Sequence, residues 1–338
     1  MRNDPPSGRK PGEQENTNGQ NNKPPPRLKL EFSKAADYDR INAAFSPQRL
    51  NVIDPHGYVA KRLQDDFKKA IDNGAAAFLS DESDTSIDNV KGVLFSYHYP
   101  EYNAADTIEQ TAEKQKGHNK RSEQEQAEGP QEAIEGTHEY SEFGSAVSYL
   151  PGFGSAKLIM AALALKEWWH NPPSGMLFNE IENSNQASGK TYRDALKWEA
   201  VTDPDEIAKL FSAGYKNVTS DSGQGIGKPP PKEKWKDKTF YSFTERSLAI
   251  HARILLDYMD AGGIANKHSG EFIDVDFSAL AQAGLTRKRI EALAAGETSR
   301  SKLNAMITDS HEASENDGNK NDGPENNPAP PHNNFKAR

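Results

Sequence analysis

An α+β architecture, a sheet flanked by helices, is what this sequence predicts, and three observations predict it. Strand-like and helix-like segments are interleaved from residue 28 to residue 244. A glycine turn near the middle of the chain joins an apolar strand pattern to an apolar helix pattern. The apolar residues are concentrated in these segments: only 34% of the 338 residues are hydrophobic, and mean hydropathy is −0.87. The deficit falls in two tails and two internal stretches, so the folded part is smaller than the chain.

Taken in order, residues 28–32 read as a first strand. Residues 37–45 and 58–71 are helix-like, the latter with Val59, Leu63, Phe67 and Ile71 at four-residue spacing. Residues 75–79 and 92–99 form a predicted hairpin. A short run with partial alternation (Ala146, Val147, Tyr149, Leu150) reads as a strand, and Pro151-Gly152-Phe153-Gly154-Ser155-Ala156 breaks it. Residues 157–169 carry a helix pattern, with Trp168 and Trp169 at its buried end. Residues 176–182 read as a strand, 205–211 as a helix and 239–243 as a last strand. Beyond them come an amphipathic helix over 248–259, an apolar stretch over 272–275, and helix patterns over 278–283 and 286–294.

Residues 1–27 and 298–338 lack the apolar surface to offset ordering entropy and are expected to be disordered. Residues 101–138 form a charged insertion and 216–238 a Pro/Gly loop. The expected organisation is therefore a core domain over 28–245 and a small helical extension over 246–297. Within the 216–238 loop, Gly223 to Lys228 imitates a ligand loop. Polar Thr219 to Ser222 precede it and Pro229-Pro230-Pro231 follow it, so neither a buried strand nor a continuing helix frames it.

The formal net charge of −9 does not imply a general polyanion-binding surface. With no cysteine, disulfides, thiolate metal sites and a cysteine nucleophile are excluded. No ligand spacing accompanies His251 or His268, so no metal site is expected. The longest apolar run, 158–165, lies between Lys157 and Lys166 and is too short to span a membrane. The N-terminus lacks a signal-peptide core. A cytoplasmic location is the expectation, although a polar N-terminus is also compatible with export by a specialised secretion system.

Strand, glycine turn and helix N-terminus together make an anion site, because glycines admit close backbone approach and the first helical turn has spare N–H groups. A P-loop would need a hydroxyl residue after the lysine, where Leu158 stands. A dinucleotide fingerprint would need a third glycine, where Lys157 stands.

The turn resembles the pyrophosphate loop Q/R-x-x-G-x-G/A of the GNAT family of N-acetyltransferases in every position but the first, which is Pro151. A second block is similar to the family's N-x-x-S/A, helical tyrosine and L-G-F: Asn185, Ser188, Tyr192, Leu196 and Trp198, with Lys197 at the glycine position. The order of the upstream elements agrees as well. The resemblance spans roughly residues 28 to 244 and implies a mixed, mostly antiparallel sheet and acetyl-CoA as acyl donor. It implies pyrophosphate contacts at Gly152, Phe153, Gly154, Ser155 and Ala156, and pantetheine pairing along Val147, Tyr149 and Leu150. Asn185 is then either a cofactor contact or a helix cap, and Ser155 a cap or a phosphate contact. Tyr192 is a catalytic acid for the leaving thiolate, or a core residue. A carboxylate base is expected at Glu180 or Glu142; Glu180 and Glu182 share a face by period two.

The implied activity is acetyl transfer from acetyl-CoA to an amine by direct attack, and the acidic balance would tolerate a cationic acceptor. The alternative is a non-catalytic module of that fold joined to a helix-turn-helix. Residues 278–294 resemble the helix-turn-helix of phage- and plasmid-type winged-helix proteins, which would place Arg287, Lys288 and Arg289 at the head of a recognition helix facing DNA. The following helix and wing are missing from the pattern, and a helical appendage with a solvated basic face is the other reading.

Overall fold

The computed structural model describes residues 27–54, 64–99, 140–144, 146–173, 175–210 and 236–306. The predicted tails before 27 and after 306, the charged insertion over 101–138, and the glycine-proline loop as far as 235, with its Gly223 to Lys228 motif, lie outside these residues.

The fold is α+β: one mixed sheet of ten strands with helices on both faces. The sheet begins with an antiparallel run of β1 (Arg27–Phe32), β2 (Ala76–Asp81) and β3 (Val90–Tyr99). Every residue of β2 is buried, as a central strand covered on both faces should be. Next to β3 come β4 (Tyr140–Phe143) and the two-residue β5 (Val147–Ser148). Then follow β6 (Met176–Glu182), β8 (Lys238–Ser242) and the short β7 (Glu199–Ala200) at the edge. At the opposite edge, β10 (Phe272–Asp276) pairs in parallel with β1, and β9 (Gly263–Ala265) closes the sheet.

On one face, α1 (Tyr38–Ala44), α2 (Pro47–Ile53) and α3 (Gln64–Asp72) pack Ile41, Phe45 and Phe67 onto Phe78, Val93 and Phe95. Further along that face, the helix over 204–210 (α6) sets Leu210 against Tyr140, Phe178 and Phe240. The other face carries α4 (Ser155–His170), whose apolar residues run right round it. Such a helix must be covered on every side, and it is: the sheet lies below and α7 (Glu245–Ala261) packs against it.

Three features depart from the sequence expectation. The strand predicted around 146–150 has ladder pairing only at β5, and β4, not recognised as a strand, precedes it. The sequence Tyr140-Ser141-Glu142-Phe143 is too polar to stand out, yet only Glu142 is not buried. The extension over 246–297, expected to be helical, also supplies β9 and β10. Ile273 and Val275 are buried while Phe272 and Asp274 are exposed, the alternation of a half-covered strand. The predicted tail starting at 298 is folded as far as 306, because the helix over 300–306 (α10) places Leu303 in the core at 0% exposure.

Candidate functional site

The candidate site forms where the sheet comes apart. β4 and β6 run parallel, paired from Tyr140↔Met176 to Phe143↔Asn179. Beyond that point, the chain of β4 continues into β5 and pairs with β3, while β6 continues to Glu182 against β8. Phe143 to Val147 spans one residue more than Val93 to Ser96 opposite it. Such a bulge bends its strand. Gly144 sits in the bend, where a Cβ would lie 2.2 Å from the Phe95 ring. A wedge opens between β5 and β6, with no ladder pairing across it among the described residues.

The glycine turn starts at the mouth of this wedge. Gly152 and Gly154 have φ of 85° and 72°, the left-handed region in which a Cβ is strained. A Cβ on Gly154 would also meet the Tyr258 hydroxyl at 2.5 Å. Gly154 precedes α4 without any side-chain cap, so the N–H groups of Ser155, Ala156 and Lys157 have no helical carbonyl to bond. The carbonyls of the turn are tied instead. Tyr258 Oη donates to Gly154 O at 3.1 Å, Asn266 Nδ2 to Pro151 O at 3.2 Å, and the Lys267 N–H to Gly152 O at 3.2 Å. These acceptors brace the turn, and the N–H groups of Ser155, Ala156 and Lys157 lie at the positive end of a sixteen-residue helix.

The predicted contacts sort differently in three dimensions. The Ser155 side chain does not cap the helix: at 1% exposure, its hydroxyl shares a 2.6 Å hydrogen bond with Ser148 Oγ and ties α4 to β5. Phe153 packs in the core. Along β5, the Tyr149 N–H donates to Lys91 O of β3 at 2.8 Å. By strand alternation the backbone groups of Val147 and Tyr149 face β3, and those of Ser148 face the wedge. The Leu150 N–H donates to Ser148 Oγ at 3.3 Å and the Leu150 carbonyl accepts the Phe153 N–H at 3.4 Å, so both are used within the turn. The backbone of Val147 and Tyr149 is paired with β3 rather than open to the wedge. The Tyr149 hydroxyl donates to Ala44 O, and the Arg49 guanidinium lies 4.0 Å above its ring, so it fastens α1 and α2 to the site.

The second block lies next to the wedge. Asn185 is a cap: its Oδ1 accepts the Ser188 N–H at 3.2 Å at the head of α5 (Gln186–Lys190). A π-turn over Thr191–Ala195 then carries Tyr192. Tyr192 is 2% exposed, edge-on to Trp198 at 5.0 Å and stacked on Tyr241 at 6.0 Å. Burial raises its pKa well above that of an ordinary phenol, so it stays protonated. Lys197 holds φ 56°, the left-handed conformation for which glycine is suited, and Ser247 Oγ steadies it by donating to its carbonyl at 2.8 Å. Trp198 donates to His251 Nε2 at 3.2 Å, while His251 Nδ1–H donates to Ser247 O at 2.7 Å. Burial lowers the His251 pKa to about 4, consistent with a neutral ring in this network.

Glu142 and Glu180 share the face opposite α4, with Tyr140 and Phe178 as same-face neighbours. Glu180 is ion-paired with Lys238 of β8. Glu142 stands between Tyr97 of β3 and Phe178 of β6.

Two of the three basic residues at the head of the predicted recognition helix are engaged within the chain. Past α8 (Ser278–Gln282), in α9 (Arg287–Ala294), Arg289 is 0% exposed, lies 3.8 Å above the Trp169 ring, and donates to Gly284 O and Leu303 O. Arg287 pairs with Asp260 and Glu291. Among the described residues no cluster of three or more His, Asp or Glu side chains is placed to hold a metal. No helix among them is long and apolar enough to cross a membrane.

The residues that the sequence did not single out are Ser148, Asn179, Tyr258, Asn266 and Lys267. Asn179 left one signal, a neutral polar residue inside the apolar strand M-L-F-N-E-I-E. Tyr258 and Asn266 left none, being separated from their partners by 104 and 115 residues. No protein-family model matches the chain, and no curated protein matches it in sequence.

Proposed function

We propose that this chain is an acyl-CoA-dependent N-acyltransferase that moves an acetyl group from acetyl-CoA to an amine. One observation carries the reading. The same short strand, β5, borders an open wedge between parallel strands and delivers the chain into a glycine turn that leads to the uncapped N-terminus of α4. A long, thin ligand with an amide arm and a pyrophosphate matches that pairing of features. The mixed, mostly antiparallel sheet agrees with the family that the two sequence blocks resemble.

In this reading the N–H groups of Ser155, Ala156 and Lys157 bind the pyrophosphate, and the wedge-facing backbone of Ser148 pairs with the amide arm. The base is Glu142 or Glu180, the latter ion-paired with the Lys238 ammonium. The carboxylate takes a proton from the amine as the amine nitrogen bonds to the acetyl carbon. The carbon–sulfur bond breaks, and Tyr192 gives its proton to the departing thiolate. A phenol held protonated by burial is in the right state before that step.

Calorimetry with acetyl-CoA tests the reading, with Gly154→Trp as the control. Micromolar binding that the variant loses supports it; no binding at millimolar acetyl-CoA overturns it. A second reading, a non-catalytic module of the same fold, is favoured by Pro151, which removes a loop N–H. Binding without thiol release across a panel of amines would select it.

A further inference from the structure

The apex of the wedge holds a residue to which neither block gives a role. Gly144 N–H donates to Phe95 O of β3 at 2.8 Å. The carbonyl of the same peptide, Phe143 O, therefore points the other way, toward β6. Asn179 Nδ2 donates to it at 2.6 Å. The side-chain amide replaces the backbone donor that β6 would offer if the strands stayed together. This contact also fixes the orientation of the amide: a carbonyl can only accept, so the nitrogen must face Phe143 and the oxygen must face away.

That oxygen has no hydrogen-bond partner among the described residues and is buried, on a residue that is 3% exposed. Burying an unpaired amide oxygen is costly, and native structures leave few of them. Its unused lone pairs call for a donor. Among the described residues the strands part directly beyond Asn179, and the wedge that starts there suits an extended chain bearing amide N–H groups.

We infer that Asn179 is a ligand-binding residue whose Oδ1 accepts an amide N–H from the pantetheine arm of the acyl donor. The identity of that arm rests on the acyl-CoA reading; the placement of the acceptor rests on the geometry of Phe143 and Asn179. Asn179 thus does two things at once. Its nitrogen closes the apex of the wedge, and its oxygen fixes how deep the arm sits, which sets the position of the thioester beyond it.

The experiment compares two ligands on the full-length protein by calorimetry: coenzyme A, and its nucleotide portion, 3′-phosphoadenosine 5′-diphosphate. The nucleotide reaches the glycine turn but not the wedge, so it reports on the turn and on folding. Asn179→Leu and Asn179→Ala should each weaken coenzyme A by about five- to tenfold, the loss of one hydrogen bond, and leave nucleotide affinity unchanged. Coenzyme A affinity within twofold of wild type in either variant overturns the inference. So does an equal loss for both ligands, which would make Asn179 a structural residue only. Wild-type protein that binds the nucleotide but gains nothing from the pantetheine arm would overturn the acyl-CoA reading itself.

Discussion

The two ends of α4 are finished in opposite ways. At the C-terminal end the chain supplies a partner for nearly every exposed group. Arg300 donates to Trp169 O at 3.0 Å and to Trp168 O, and its guanidinium lies 4.5 Å over the Trp168 ring. Arg289 covers Trp169, and His170 Nε2 donates to Ala283 O at 2.7 Å. Cations and donors are what the negative end of a helix favours. At the N-terminal end, the same C-terminal extension binds the carbonyls of the glycine turn and leaves the helical N–H groups alone. One end is sealed for stability, and the other is braced but kept open. That contrast, more than the glycines themselves, marks the N-terminal end as the site.

The sharpest way to break the comparison is to damage each end and read both stability and binding. Arg289→Ala should have the largest effect. It removes a buried side chain with its hydrogen bonds and leaves Gly284 O and Leu303 O unpaired, at a cost of about 3 kcal/mol in urea unfolding. The folded fraction should keep its acetyl-CoA affinity. If affinity falls in step with stability, the two ends are not independent.

Acid should act next, at the sealed end through His170 and beside the site through His251. Burial first, then the nearby Lys166 charge, lowers the His170 pKa to about 4, and burial lowers that of His251 to about 4. Both values lie below the ordinary 6.5, so their stabilising contribution is complete above pH 6.5 and is lost as pH falls toward 4. Glu167 follows. Burial would raise its pKa, but His98 and Lys166 outweigh that and bring it to about 2. Its contribution is complete above 4.5 and lost between 4.5 and 2. Each group amounts to a few kcal/mol. Melting temperature should be flat from pH 8 to 7 and fall in two stages below 6.5.

Gly154→Ala acts at the open end. The left-handed φ costs about 1–2 kcal/mol, and the new Cβ displaces the Tyr258 hydroxyl. Acetyl-CoA affinity should drop at least tenfold while stability falls less than in Arg289→Ala. Tyr258→Phe is the mildest change. It frees Gly154 O from one hydrogen bond, worth about 1 kcal/mol, and should weaken acetyl-CoA about threefold through a looser turn. An unchanged Kd would show that the turn holds its shape without the brace.

Much of this molecule is written in local pattern. The bounds of β6, the α4 helix after a glycine turn, the β2–β3 pair and the amphipathic α7 all follow from short-range periodicity and breaker residues, because each depends on neighbours a few positions away. The left-handed glycines and the polar break at Asn179 are legible in the same way. Tertiary structure alone decided the rest. The parallel β4–β6 pair that opens the wedge joins segments whose pairing no local pattern encodes. The choice of Ser148 over Val147 and Tyr149 as the wedge-facing edge depends on which side β3 occupies. Arg289, basic in sequence and expected at the DNA-facing head of a recognition helix, is buried because Trp169 and Leu303 reach it from elsewhere in the chain. Periodicity records which faces of an element are apolar; only the packed molecule determines what each face meets, and therefore which groups remain free for a ligand.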